Sequence, residues 1–218
     1  MFRAYVSELP VHRERTSRRP RLVTVTSWYA ILARAIPAAA LAIVVTLSAD
    51  HSVRFGMLTL GLFGVATGAI VLAFVLRSPV RGIERGLGVT QGAIALLVGI
   101  AALASPGSLS LFILLLTVFA VVTGFLELYL GLRVRKSSTA GRDHIFVGAL
   151  TVLLALVVLL IPADFVQPFT GPDGVARELT ASIIIVGVLG AYWAILGVYL
   201  VIAGLSLKSV PKKVEAAA

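Results

Sequence analysis

Apolar residues run along this chain in six long, nearly unbroken stretches: Trp28–Ala49, Phe55–Leu76, Leu87–Ala104, Leu109–Leu132, Ile145–Ile161 and Ala181–Leu205. A hydrocarbon core of about 30 Å needs about 20 apolar residues wound as a helix. Backbone in lipid must satisfy its own hydrogen bonds, and the runs are too continuous for alternating barrel strands. The pattern therefore predicts an all-α polytopic membrane protein with six transmembrane helices. Its short, polar connections predict three tandem hairpins.

The same hairpin pattern repeats. At an offset of 56 residues, Phe63 falls on Phe119, Thr67 on Thr123, Gly68 on Gly124, Arg77 on Arg133 and Gly92 on Gly148. A third copy fits after an insertion of 17 residues, with Tyr192 on the two phenylalanines and Gly197 on the two glycines. The units are 29–78, 87–136 and 144–208. Each holds two spans, so all three share one orientation and are parallel repeats, unlike the inverted repeats common in transporters. Before them lies a basic tail, 1–27, and after the membrane domain, 28–208, a short tail, 209–218.

Charge fixes the expected orientation. Of 19 Lys and Arg residues, 16 lie in the N-terminal tail, the second and fourth connections and the C-terminal tail. Only Arg54 and Arg177 lie in the opposite loops, and Arg34 sits inside the first span. Positive segments stay cytoplasmic, so both termini are expected inside. Ser17-Arg18-Arg19 ahead of an apolar run also imitates a twin-arginine signal peptide. Against that, the run is long enough to span and belongs to the repeat.

Composition agrees: 59% hydrophobic and 13% charged residues, with a mean hydropathy of +1.02, against about 25% charged in soluble domains. The net charge of +9 would suggest nucleic acid on a soluble domain. Here the basic residues flank apolar runs, which points to the lipid bilayer and, for the N-terminal tail, to anionic headgroups. There is no cysteine, hence no disulfide or thiolate chemistry.

Small residues four apart let helices approach closely in lipid. Gly64/Gly68 and Ala120/Gly124 offer such pairs on the second helices of the units, and Ala95/Gly99 and Thr151/Ala155 on the first. Gly64, Gly68, Gly99, Gly124 and Gly197 are thus expected at helix contacts. The inserted segment, 163–179, reads as a longer hairpin loop at the interface, with Phe165, Val166 and Phe169 against the membrane and a turn at Gly171–Gly174.

Two ionisable residues fall inside spans, and such residues usually face the protein interior. Arg34 lies about 9 Å inward from Trp28 and Glu127 about 9 Å inward from Arg133, at 1.5 Å per residue. Both depths count from the same face, so the two residues are expected to pair, provided the first and fourth helices are neighbours. The alternative is that Arg34 snorkels to the headgroups. Pro37, one turn away, is expected to kink the first helix and could free a carbonyl for Arg34. The three histidines, His12, His51 and His144, are expected to make no common site, the last two lying on opposite sides of the membrane.

No phosphate-binding loop, dinucleotide fingerprint, HExxH or GxSxG motif occurs, and no aspartate lies in a span. These absences speak against an enzyme and give no reason to expect a cofactor or metal.

The segment GAIALLVGIAALASPGSLSLFILLLTVFAVVTGFLELYLGLRVRK resembles the HdeD family of small bacterial inner-membrane proteins. The resemblance rests on Gly92, Gly99, Pro106, Phe119, Gly124, Glu127, Arg133 and Arg135. AYWAILGVYLVIAGLSLK is similar to the same helix, with Leu200 where Glu127 stands; in the first unit Val71 stands there and Asp50 replaces the proline. The resemblance implies six transmembrane helices, a bacterial inner-membrane location and, in some members, acid-stress resistance. The leading expectation is a non-enzymatic protein acting in envelope or acid-stress protection through interaction or membrane stabilisation. The alternatives are a small transporter or channel with a path near Arg34 and Glu127, and a subunit or assembly factor of a larger complex. A homo-oligomer or a membrane-protein partner fits any of these.

Overall fold

The structure is a computed structural model that describes residues 28–105, 107–136, 140–172 and 174–209. The expectations for the two tails and for Pro106 lie outside these residues. Six helices are long and apolar enough to cross a membrane: α1 (Trp28–Leu47), α2 (Val53–Arg77), α3 (Ile83–Ala104), α4 (Leu109–Val134), α5 (Ala140–Leu159) and α6 (Ala181–Ser209). Such a set suits a multi-pass membrane protein.

The exterior is as apolar as the interior. Ile36, Leu47, Leu97, Leu153 and Leu160 are exposed, while Phe63, Phe112, Leu116, Ile185 and Trp193 are fully buried. Because lipid tails are as apolar as leucine, burial of such side chains does not itself drive helices together. Close backbone approach does, and it occurs at three seams. The principal pairings are α2 with α3, α4 with α5, and α6 with α1. These are not the hairpins expected within 29–78, 87–136 and 144–208. Each seam joins the second helix of one unit to the first helix of the next, and α6 closes the ring on α1.

Glycines set the spacing at the first two seams. A methyl on Gly68 would lie 2.6 Å from the Leu96 amide nitrogen, and one on Gly99 would lie 2.5 Å from that of Val65. Between α4 and α5, a methyl on Gly124 would meet the Val152 nitrogen at 3.0 Å, and one on Gly148 the Leu128 nitrogen at 2.5 Å. At the third seam a methyl on Gly197 would meet the Ala39 nitrogen at 3.0 Å. Gly64 packs on the backbone of Ala95 and Gly99.

Direction follows from contacts between helix starts. Gly56 near the start of α2 lies against Phe112 near the start of α4 and Val186 near the start of α6. The even-numbered helices therefore run together and bring Arg77, Arg133 and Lys208, each in a last helical turn, to one end of the bundle. At that end the Lys208 ammonium sits 5.1 Å over the Trp28 ring at the start of α1. A cation beside an indole face is attracted by its quadrupole.

Two local features differ from expectation. The fifth helix begins at Ala140, five residues before the apolar run at Ile145, because Gly141, Arg142, Asp143 and His144 continue the helix beyond the span. The inserted segment is not a plain loop. Val166–Thr170 (β1) and Ala176–Thr180 (β2) pair antiparallel, with Phe169 opposite Arg177, and the ribbon is largely exposed. Pro37 lies inside an unbroken α1.

Candidate functional site

The candidate site is a buried polar cluster toward the arginine-rich end of the bundle. Glu127 is 2% exposed, and every hydrogen bond to it comes from another helix. Arg34 on α1 donates through Nη1 to Oε1 at 3.0 Å and through Nη2 to Oε2 at 3.1 Å. This paired-fork geometry is the strongest form of the arginine–carboxylate contact. Gln91 on α3 donates through Nε2 to Oε2. His144 on α5 places Nδ1 2.8 Å from Oε1. Four helices thus meet at one carboxylate.

Arg34 and Glu127 come together, but not for the reason anticipated. The principal packing of α1 is against α6, with α2 next; the two long side chains bridge the bundle interior rather than a seam. Arg34 finds a carboxylate, not a carbonyl freed by Pro37, and its buried Nε is left without a partner.

His144 and His51 lie at opposite ends of the bundle and share no site, as expected, but His144 by itself joins the cluster, which was not anticipated. It lies in the second turn of α5, outside the apolar run and for that reason outside a search confined to spans. Gln91 was missed because the search sought ionisable residues, and a lone glutamine inside an apolar span is the signal that could have found it. His51 sits at the opposite end of the bundle, beside Asp50. There the Ser52 backbone amide, 2.8 Å from Asp50 Oδ1, holds that carboxyl below its usual range. His12 lies outside the described residues.

The cluster forms the floor of a narrow internal cavity of about 20 Å³, room for about one water molecule. Its lining is layered. Val71, Glu127 and Leu200 follow Gly68, Gly124 and Gly197 by three residues each; Arg34, Gln91 and Val147 precede Ala39, Leu96 and Val152 by five each, and all six line the cavity. Next come Thr67, Thr123 and Leu196, then Phe63, Phe119 and Tyr192. Two of the threonines spend their hydrogens locally, Thr123 Oγ1 donating to the Phe119 carbonyl at 2.6 Å and Thr151 Oγ1 to that of Val147 at 2.7 Å, whereas Thr67 Oγ1 is buried without a partner among the described residues. Tyr192 then donates to Thr151 Oγ1 at 3.0 Å.

At the level of Tyr192 the interior is packed with aromatic rings. Phe63 meets Phe119 edge-on at 5.8 Å between centroids and lies tilted against Trp193 at 5.3 Å. Edge-to-face contact of this kind is the favoured geometry of buried aromatic pairs. On the other side of the cluster Asp143 accepts a hydrogen bond from the Tyr199 hydroxyl at 2.8 Å, and the Tyr199 ring stacks on Phe146. Among the described residues no group of three or more His, Asp and Glu side chains is placed to hold a metal ion.

What the arrangement does chemically is plain. It neutralises two charges inside apolar surroundings and ties α1, α3, α4 and α5 to one point. No family model matches the chain, and no curated protein or solved structure matches it.

Proposed function

We propose that this chain is a non-enzymatic inner-membrane protein of the HdeD type that protects the bacterial envelope, under acid stress included, by stabilising the membrane or by interaction within it. The observation that carries this reading is the charge-paired cluster. Its charges are spent on one another, and the cavity above admits about one water molecule. A closed, internally cross-braced bundle fits a protein that acts through its presence in the bilayer better than one that passes a solute.

The finer architecture belongs to the same proposal. Three parallel units, 29–78, 87–136 and 144–208, pack head to tail around one axis. The recurrent seam contacts of Gly68, Gly124 and Gly197, and the matched levels of the cavity lining, support that arrangement. The end bearing Arg77, Arg133 and Lys208 faces the cytoplasm by the excess of positive charge in its connections, so both termini are inside. The basic residues before Trp28 then lie against anionic headgroups, each adding about 1 kcal/mol near the surface.

The test compares bacterial cells with and without the chain for survival after acid exposure, alongside ion and proton leakage from proteoliposomes. Expected are higher survival with the chain and vesicles as tight as protein-free ones. Flux that disappears in Glu127→Gln would replace the proposal with the transporter reading, and stable co-purification with a larger assembly would replace it with the subunit reading.

A further inference from the structure

Two atoms of the Glu127 carboxylate offer about four lone-pair positions, and four donors occupy them: Arg34 Nη1 and His144 Nδ1 on Oε1, Arg34 Nη2 and Gln91 Nε2 on Oε2. An ionised carboxylate only accepts, so Nδ1 of His144 must carry its hydrogen. Neutral imidazole has one N–H, which leaves Nε2 as the bare, basic nitrogen. Nε2 makes no hydrogen bond to another described residue and is not among the buried unpartnered atoms; the side chain is 24% exposed. Its place in the second turn of α5, beside Arg142 and Asp143, puts that exposure at the arginine-rich end.

From this geometry we propose that His144 is a proton-binding site: Glu127 fixes the Nδ1–H tautomer, and Nε2 takes a proton from the aqueous phase at the arginine-rich end of the bundle. The proton comes from hydronium, adds to the Nε2 lone pair, and leaves the Nδ1–H bond to Glu127 intact. Nothing else in the cluster can take it, since the Glu127 oxygens are filled and neither a guanidinium nor an amide is basic.

The groups that face His144 define the consequence. Glu127 comes from α4 and Arg34, on the same Oε1, from α1; Arg142 and Asp143 flank it on its own helix, and Tyr199 of α6 donates to Asp143. Arg133 and Arg135 close α4 nearby. Lining the cavity, α3 contributes the neutral Gln91 and α2 the uncharged Thr67 and Val71. With the proton absent, Arg34 and Glu127 cancel. With it bound, two cations share one carboxylate and the cluster carries a net charge of +1 (two positive groups and one negative). The inference stands on the cluster's hydrogen bonds and holds whether or not the protective role does.

The test is nitrogen NMR of the full chain in lipid nanodiscs, labelled with ¹⁵N-histidine and carrying His12→Gln and His51→Gln so that His144 is the sole imidazole. The same labelling of His144→Gln with the other two histidines retained confirms the assignment by loss of one signal set. At alkaline pH the expected pattern is a protonated, pyrrole-type Nδ1 and a bare, pyridine-type Nε2. On acidification Nε2 gains its proton while Nδ1 keeps its own. An Nε2–H tautomer at alkaline pH would overturn the proposal. So would an Nε2 that stays bare at every pH where the helical circular-dichroism signal persists.

Discussion

The seams and the interior of this bundle are built by opposite means. At the α2/α3 and α4/α5 seams, backbone meets backbone, and the residues that matter are those with no side chain: Gly64, Gly68, Gly99, Gly124 and Gly148. In the interior, helices that share no such seam meet through side chains: aromatic ones, such as Phe63 against Phe119 and Trp193, and the long polar ones of Arg34 and Gln91 that converge on Glu127. The seams hold neighbours together pair by pair. The cluster holds the pairs to one another, because Arg34 belongs to the α6/α1 pair, Gln91 to α2/α3, and Glu127 and His144 to α4/α5. Backbone contact serves immediate neighbours, whereas extended polar groups add directional bonds between pairs. If that division is right, a fault in the cluster should loosen all three pairs, and a fault in a seam should loosen one.

The largest effect is expected from Glu127→Leu. It leaves the Arg34 guanidinium buried without a counter-charge, and breaking a buried pair by removing one partner costs about 3–5 kcal/mol. The variant should unfold at correspondingly lower denaturant in lipid nanodiscs. The double replacement Arg34→Leu/Glu127→Leu should recover most of the loss, since removing both charges also removes the unpaired one. A double variant as unstable as the sum of the singles would show that the two residues act separately and that the cluster does not join the pairs.

Second in size are the seam glycines. A methyl added by Gly148→Ala or Gly99→Ala lies 2.5 Å from a backbone nitrogen of the facing helix, which cannot rotate away. Forced overpacking of this kind costs about 1–3 kcal/mol. Cysteine cross-linking across each seam distinguishes local from global loosening: Gly148→Ala should weaken the α4/α5 link and leave α2/α3 unchanged.

How much of this was readable beforehand follows the same division. Six helices follow from six apolar runs, since lipid permits little else. Gly64, Gly68, Gly99 and Gly124 follow from spacing, because close packing in lipid leaves its mark as small residues four apart, and Gly197 follows from the repeat; Gly148, with His144 and Val152 four away, did not stand out. Which helix meets which does not follow, since a pair of small residues does not name its partner. The expected hairpins were therefore not the principal pairs. Arg34 and Glu127 stood out as charges in apolar runs, whereas Gln91 carries no charge and His144 precedes its run. A register shift also hid their common level. The 56-residue offset places Ala35 opposite Gln91, yet the contacts of Ala39 and Leu96 with Gly197 and Gly68 put Arg34 there. One residue more in the first unit, 29 from Ala39 to Gly68 against 28 from Leu96 to Gly124, is enough to turn an unrelated alanine into the apparent counterpart.

A third, smaller effect sharpens the interior. Gln91→Leu removes one of four donors on Glu127 while leaving the arginine fork in place. An interhelical hydrogen bond inside a membrane is worth about 0.6 kcal/mol on average and at most about 2 kcal/mol. The loss should therefore stay near 1 kcal/mol in the same unfolding titration. A loss as large as that of Glu127→Leu would mean that Gln91, not Arg34, anchors the carboxylate.

The smallest effect is expected at the seam that closes the ring, and it tests whether all three seams are alike. Gly190 and Gly204 of α6 face side chains on α1, with added methyls 2.6 Å from Val45 Cγ1 and 2.7 Å from Leu32 Cδ2. Leu32 can swing its far end aside, whereas the amide of Leu128 opposite Gly148 has no such freedom. Gly204→Ala should then change stability by less than about 0.5 kcal/mol, the range of substitutions that meet no fixed obstacle. Gly197→Ala, 3.0 Å from the Ala39 nitrogen, should fall between it and Gly148→Ala. Equal losses at Gly204, Gly197 and Gly148 would mean that α6 packs on α1 as rigidly as α4 on α5. The graded order instead makes the α6/α1 closure the loosest joint of the ring, and the one that most needs Arg34 to tie it to Glu127.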